Sequence, residues 1–234
     1  MRIKPKALAV SGGAVLAATA LTAVLLSTTG SEPAPRPVSG PEAQRMALTR
    51  FRVYRASPSA VTVRAVTPSG TTVVRAVVDH RRHRAVGTYG DEGGQARGRL
   101  AWDLSGVAVA RGAEGRKWVR REFGAAPLDI GLRLVLSLAA DRPDNAQLLA
   151  QSGPLWLRDE QIGDRSYGVF SGPRPRPRGT GGAPAGRSPL AYWIDTDGDL
   201  RRVTATLGQG RAVHIDVTAG HVRGGVPEGP WGRP

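Results

Sequence analysis

Among the residues of this chain, the histidines have the spacing most similar to that of metal ligands. His80 and His83 form a His-x-x-His motif. A zinc ion needs three or four ligands in a fixed geometry, and the neighbouring Arg81, Arg82 and Arg84 place positive charge where a dication would bind. In a strand, the odd spacing would also direct the two rings to opposite faces. The sequence therefore predicts no metal site and no cofactor, and two surface histidines beside a basic turn.

Three alternating carboxylates form a second motif. Asp195, Asp197 and Asp199 resemble the start of a calcium loop. An EF-hand loop requires glycine at its sixth position and glutamate at its twelfth. Counted from Asp195, Gly198 is fourth and Thr206 is twelfth. The pattern favours a hairpin turn with solvated carboxylates, because Asp-Gly supplies the positive φ that a tight turn needs.

Nucleophilic chemistry has little support. The chain has no cysteine, which excludes thiolate nucleophiles and thiolate metal sites. The Gly-x-Ser-x-Gly elbow and the phosphate-loop pattern are both absent. Asp103 and Asp129 have no identified partner and are predicted to be cap or turn residues. We therefore predict that the protein is not an enzyme, with no catalytic, cofactor-binding or metal-binding residues and with its ligand-binding residues unknown.

The N-terminus predicts the location of the chain. Arg2, Lys4 and Lys6 precede an apolar segment, 7–27, that carries no charge and is long enough to span a bilayer. It is predicted to be a transmembrane anchor behind a cytoplasmic tail, 1–6, and the alternative is a cleaved secretory signal. Basic residues before an apolar segment stay in the cytoplasm. Both interpretations place the rest of the protein outside the plasma membrane, either as a single-pass membrane protein or as a secreted one.

The charge of the chain suggests partners. The formal net charge is +14, and the three N-terminal cations leave +11 on the extracytoplasmic part. Such a field attracts anionic lipid or cell-wall polymer. Nucleic acid is not an expected partner outside the membrane, whereas the membrane itself is a partner through the N-terminal helix. No protein partner is identified. The basic clusters are Arg81/Arg82/Arg84, Arg116/Lys117/Arg120/Arg121 and Arg174/Arg176/Arg178.

The composition of the chain after residue 27 predicts a linker, a folded domain and a tail. Four prolines in 28–41 predict an extended linker. An α+β domain is predicted over 42–223, with a disordered Pro-Arg and Gly-rich loop at 172–189 inside it. A flexible tail is predicted at 224–234. Hydrophobic periodicity within the domain predicts three helices and about nine short strands. The predicted helices are 42–55, 128–140 and a short one that Asp141 or Asp144 caps and that ends at 151. The predicted strands include hairpins around 67–70 and 196–199.

One phrase resembles a known group. Residues 192–203 read YWIDTDGDLRRV and resemble the hairpin of the LolA-like superfamily, which comprises bacterial lipoprotein carriers and their actinobacterial LppX/LprG relatives. Segments 42–47, 78–83 and 141–149 resemble uncharacterised, membrane-anchored proteins of actinomycetes. The resemblance implies a strongly curved antiparallel sheet, a half-barrel whose concave face is packed with two or three helices. It also implies lipid binding.

Two functions remain open. The first is a membrane-anchored extracytoplasmic, non-catalytic domain that binds a lipid or another apolar ligand. The alternative is an envelope protein–protein interaction domain or a regulatory sensor domain with a filled core and no ligand. An apolar pocket of several hundred Å³ between sheet and helix favours the first function, and a filled core favours the second. Six residues suit either a pocket lining or a core: Trp102, Leu132, Val135, Leu136, Trp156 and Trp193.

Overall fold

A large curved antiparallel sheet dominates the computed structural model, which describes residues 33–112, 114–174, 188–218 and 220–231. Within these residues the sheet has twelve strands and is accompanied by three helices. The strands are β1 (Arg36–Pro37), β2 (Ser59–Thr67), β3 (Gly70–Asp79), β4 (Arg84–Asp91), β5 (Ala96–Asp103), β6 (Gly106–Arg111), β7 (Val119–Arg121), β8 (Leu155–Ile162), β9 (Arg165–Ser171), β10 (Leu190–Ile194), β11 (Leu200–Gly208) and β12 (Arg211–Val217). The helices are α1 (Gly40–Arg55), α2 (Pro127–Ser137) and α3 (Ala146–Gln151).

The sheet consists of two meanders joined side by side. Strands β2 to β7 follow one another across the sheet, and so do β8 to β12. The pairing of β12 with β2 joins the two meanders, so that Val63 lies between Ile215 and Val74. The described sheet has β1 and β7 at its edges. This arrangement confirms the α+β class and the antiparallel meander that the sequence predicted.

The two predicted hairpin turns are present. In the β2–β3 turn, the Thr67 hydroxyl donates to the Gly70 carbonyl at 2.9 Å. In the β10–β11 turn, Gly198 has a φ of +90°, a conformation that a residue with a Cβ rarely adopts. Local sequence is sufficient for these turns because their geometry depends on a few adjacent residues.

The start of α1 is anchored to the sheet. Glu42 accepts a hydrogen bond from the Ser39 backbone N–H at 2.7 Å and pairs with the Arg36 guanidinium at 2.8 Å. The hydrogen bond from Arg36 lowers the pKa of Glu42 to about 2. Arg36 also lies in β1, opposite Trp156 of β8. The predicted linker, 28–41, therefore ends within the fold, because its last residues pair with the sheet and cap α1.

Helix α2 packs into the concave side of the sheet. Leu132, Val135 and Leu136 are buried. At Gly131 a Cβ would lie 2.8 Å from the Val213 Cγ1 atom, so the helix comes close to the sheet because this residue has no side chain. The core cluster takes residues from β2 to β6 and from β9 to β12 together with α1 and α2, so the sheet curves around both helices.

The outer face of the sheet carries a second cluster. Val86, Ala101 and Ala108 pack there beneath partly buried hydrophobic residues that include Val226 and Trp231. Arg84 lies over the Trp231 ring at 5.4 Å. The sequence predicted a flexible tail over 224–234, whereas the structure places part of it against this outer face. Periodicity does not reveal such a contact, because the tail has no regular spacing of apolar residues.

Other boundaries differ from the predictions. Asn145 caps α3, and its side chain accepts from the Leu148 N–H at 3.0 Å, whereas the sequence predicted an aspartate cap. Strands β1 and β7 were not predicted, because two and three residues are too few to show periodicity. The predicted apolar segment 7–27 and most of the predicted loop 172–189 lie outside the described residues. No helix within the described ranges has both the length and the apolar character to span a membrane.

Candidate ligand-binding cavity

A cavity of about 620 Å³ opens beside the filled part of the core. It lies between α1, the end of α2, α3 and the strands β10 and β11. Most of its lining is apolar. The lining residues are Met46, Thr49, Arg50, Leu134, Ser137, Leu138, Asp144, Asn145, Leu148, Leu149, Ser152, Pro173, Leu190, Tyr192, Ile194 and Leu200.

Helix α3 covers the cavity without filling it. None of its residues is buried. Backbone hydrogen bonds hold the segment at both ends: the Asp144 N–H donates to the Ala47 carbonyl at 2.9 Å, and the Arg174 N–H donates to the Ser152 carbonyl at 3.0 Å. The helix is thus fixed by its flanking backbone and by Leu149, which is partly buried against the core. Space remains beneath it for a ligand.

Arg50 and Tyr192 are two polar groups in the lining of this mostly apolar cavity. Arg50 of α1 donates to the Ala139 carbonyl at 3.3 Å and pairs with Asp144 at 3.4 Å. Burial raises the pKa of Tyr192, although the nearby Arg50 charge acts in the opposite direction. The phenol therefore stays protonated at neutral pH and can donate a hydrogen bond. A guanidinium and a phenol beside an apolar lining suit an amphiphile with one polar end.

The predicted pair of surface histidines is partly wrong. His80 is only 1% exposed, and both of its ring nitrogens lack a hydrogen-bond partner, as does Nδ1 of His83. Burial lowers the pKa of His80 to about 4. The backbone of His80 is held inside the fold, since its N–H donates to the Ser57 hydroxyl at 2.9 Å. No group of three potential metal ligands occurs within the described part of the chain.

The carboxylate motif forms a hairpin turn, as predicted, but its first carboxylate is not solvated. Asp195 is 6% exposed and accepts from the backbone N–H groups of Asp197 and Asp199 at 3.0 and 2.8 Å. Asp199 pairs with Arg52 at 3.0 Å, which ties the hairpin to α1. These carboxylates stabilise the turn between β10 and β11, the two strands that contribute to the cavity lining.

Asp129 forms a structural ion pair with Arg121. Its carboxylate accepts two hydrogen bonds from Arg121, each at 2.7 Å, and one from the Gly124 N–H at 2.6 Å. Burial would raise the pKa of Asp129, but these hydrogen bonds outweigh it and the pKa is lowered. Asp103 accepts from Ser105 and Arg120. Asp103 matches the predicted turn role, whereas Asp129 lies in the first turn of α2 and forms an ion pair with Arg121.

The six residues that suited either lining or core do not line the cavity. Trp102, Leu132, Val135 and Leu136 belong to the filled core. Trp193 belongs to an outer cluster with Tyr167 and Val169, and Trp156 lies against Arg36 at 4.5 Å. Sequence reasoning missed the actual lining. One usable signal was the pair Leu148 and Leu149, two large apolar residues in a helix too short to form its own packed stripe.

Comparisons with known proteins give only distant structural similarity. No family model and no curated protein matches the chain. An uncharacterised conserved protein of Thermus thermophilus is similar with a TM-score of 0.37 and 8% identity, over 73% of this chain and 85% of that one. A LolA superfamily protein of Nitrosomonas europaea is similar with a TM-score of 0.29 and 12% identity, over 78% of this chain and 92% of that one. At TM-scores below 0.5, neither similarity assigns a family or a function.

Proposed function

We propose that this protein is a non-catalytic domain that binds a lipid or another apolar ligand in the cavity beneath α3. The observation that carries the proposal is the volume of about 620 Å³ with a mostly apolar lining. Ligand pockets of small molecules commonly fall in a range of about 300–1,000 Å³. Each methylene group buried there contributes about 0.8 kcal/mol. A chain of several methylenes would therefore bind with useful affinity.

The position of the polar groups supports an amphiphilic ligand. Arg50 and Tyr192 both line the cavity and are close enough for the Arg50 charge to act on the Tyr192 phenol, and Leu134, Leu149 and Leu190 supply apolar surface. An acyl chain would contact the leucines, and its polar end would face the guanidinium and the phenol. The Tyr192 phenol can donate a hydrogen bond to that polar end.

The proposed location is the extracytoplasmic side of the plasma membrane. It follows from the three cations before segment 7–27 and from the absence of charge within that segment. The segment would retain the protein at the membrane as an anchor, or direct its secretion as a signal. In either case the domain would meet lipids outside the cell.

Native mass spectrometry of the unit 33–234 tests ligand binding directly. This unit is compact and its core begins with residues of α1, so it can be studied without the N-terminal segment. We expect a fraction of the purified protein to carry the mass of a lipid. A protein that carries no lipid and binds no added fluorescent long-chain fatty acid would favour the alternative of an interaction or sensor domain.

A matched pair of variants tests the cavity itself. Leu149→Trp adds bulk to a residue that lines the cavity, whereas Ala150→Trp adds it to the exposed neighbour that does not. We expect Leu149→Trp to weaken fatty-acid binding by about tenfold or more, since it displaces ligand methylenes. Ala150→Trp should bind nearly as the original protein does. Equal binding by both variants would place the ligand elsewhere.

A further inference from the structure

A second hollow adjoins the cavity. Its volume is about 360 Å³, and Arg50 and Ser137 line both spaces. The two spaces are therefore neighbours, with Arg50 of α1 and Ser137 of α2 at their boundary. The residues that line the second hollow are Arg50, His83, Leu104, Phe123, Arg133, Leu136, Ser137 and Ala139.

Exposed leucines mark both spaces. Among the described residues, the exposed large hydrophobic side chains are Leu104, Val119 and Leu148, at 69%, 65% and 65%. Leu148 lines the cavity, and Leu104 lines the adjoining hollow. Val119 lies on the edge strand β7 and lines neither, but it lines a separate groove together with Arg111, Arg116, Lys117 and Arg121. One exposed leucine thus lines each of the two spaces, and Arg50 lines both.

The adjoining hollow is positively charged. Arg50 and Arg133 line it, and no carboxylate does. Because Arg50 pairs with Asp144 of the neighbouring cavity at 3.4 Å, the charge of the hollow comes mainly from Arg133. Arg133 donates to the Gly124 carbonyl at 3.3 Å and lies over the Phe123 ring at 5.7 Å. Within the described part of the chain, no carboxylate lies at ion-pair distance from Arg133. The guanidinium therefore keeps its charge available for an external anion.

We propose that Leu104, Phe123, Arg133, Arg50 and Leu148 form a docking surface that rests on a bilayer containing anionic phospholipid. Apolar side chains among basic residues suit the boundary between headgroups and acyl chains. Guanidinium groups bind phosphate through charge-assisted hydrogen bonds. The proposal deepens the proposed function, on which it rests, by naming the bilayer as the source of the ligand. Docking in this orientation would place the cavity next to the lipids that enter it.

Vesicle co-sedimentation of the unit 33–234 tests the docking surface. Phosphatidylcholine vesicles with and without phosphatidylglycerol serve as the probe, and we expect stronger binding when the anionic lipid is present. Leu104→Asp should weaken this binding by about tenfold, because it removes an apolar contact and adds a repelled charge. Val119→Asp makes a comparable change at a similarly exposed residue of the separate basic groove, which is the rival surface, and should alter binding by less than about twofold. An equal or larger loss in Val119→Asp would place the docking surface at that groove and overturn the proposal.

A second pair of variants measures the contribution of Arg133 to vesicle binding. Arg133→Gln should weaken binding to the anionic vesicles by about fivefold, which corresponds to the contribution of about 1 kcal/mol from a basic residue near such a surface. Arg223→Gln removes the same charge from an exposed residue outside both hollows and should have a smaller effect. Equal losses in Arg133→Gln and Arg223→Gln would show general charge attraction and overturn the proposal.

Fatty-acid binding without vesicles separates this proposal from the proposed function. Leu104→Asp should bind the soluble fatty acid normally and lose vesicle binding. Leu149→Trp should lose fatty-acid binding and keep vesicle binding. If Leu104→Asp instead converts a dimer to a monomer and leaves vesicle binding unchanged, the surface contacts a second copy and the docking proposal is wrong. Circular dichroism of each variant confirms that the comparison is made on folded protein.

Discussion

Helices α2 and α3 both lie over the concave face of one sheet, and they produce opposite results. Six residues of α2 are buried, among them Leu132 and Val135, which are fully inaccessible. None of the residues of α3 is buried. The sheet beneath α2 is filled by side chains, whereas a cavity remains beneath α3. The same face of the sheet thus packs against side chains beneath α2 and leaves space for a ligand beneath α3.

The two helices are held against the sheet in different ways. Helix α2 has eleven residues, and the Trp102 indole donates to its Leu132 carbonyl at 3.1 Å. Helix α3 has six residues and is held by the backbone around it. The buried apolar area beneath α2 stabilises the sheet, so the residues beneath α3 do not have to pack. A ligand can then replace the missing side chains.

The largest expected effect comes from truncating one leucine in each helix. Leu132→Ala should lower the free energy of unfolding by about 2–5 kcal/mol, because it leaves a void in a filled core. Leu148→Ala, at an exposed position, should change it by less than about 0.5 kcal/mol. Urea denaturation measures both values. Similar losses for the two variants would mean that α3 packs as tightly as α2 does.

The buried His80 makes the free energy of unfolding depend on pH. Because burial lowers the pKa of His80 to about 4, the folded state resists a proton that the unfolded chain accepts below about pH 6.5. The stability contributed by neutral His80 is complete above that pH and is lost as the pH falls toward 4. The total loss is on the order of 3 kcal/mol.

Denaturation curves between about pH 6.5 and pH 4.5 measure this effect. His80→Leu should reduce the slope of stability against pH in that interval. A smaller slope should remain, since burial also lowers the pKa of His214, with a contribution from the Arg202 charge. Carboxylates such as Glu42, whose pKa is lowered, act mainly at more acidic pH. An unchanged slope in His80→Leu would show that His80 takes up protons freely in the folded protein.

A smaller effect is expected from the glycine that allows α2 to approach the sheet. In Gly131→Ala, the added Cβ would meet Val213 and Val63 at 2.8 and 3.0 Å. Both side chains are stiff at χ1, so crowding should exceed the gain in helix propensity and lower stability by about 1 kcal/mol. Gly40→Ala in α1 has open space around its Cβ and should stabilise by about 0.5 kcal/mol. Thermal unfolding distinguishes the two signs.

The fold was predictable wherever local sequence decides structure. The helix near 42–55 was predicted from its apolar spacing, and the turn at Gly198 from its Asp-Gly pair. The site was less predictable. The apolar stripe of α2 indicated burial but not which space it fills, and Tyr192 carries no local sign of facing a cavity. The contact of Trp231 with Arg84 joins residues far apart in the sequence, so no periodic pattern could reveal it.

The sequence by itself determined the class of fold, most helices and strands, and the excess of positive charge, because propensity, periodicity and charge belong to short stretches of chain. Only the tertiary structure decided that β12 pairs with β2, that His80 is buried and that a cavity lies beneath α3. These features depend on how distant segments fill or leave space between them. The volume left between packed elements is a property of the whole assembly of side chains, and a single segment does not encode it.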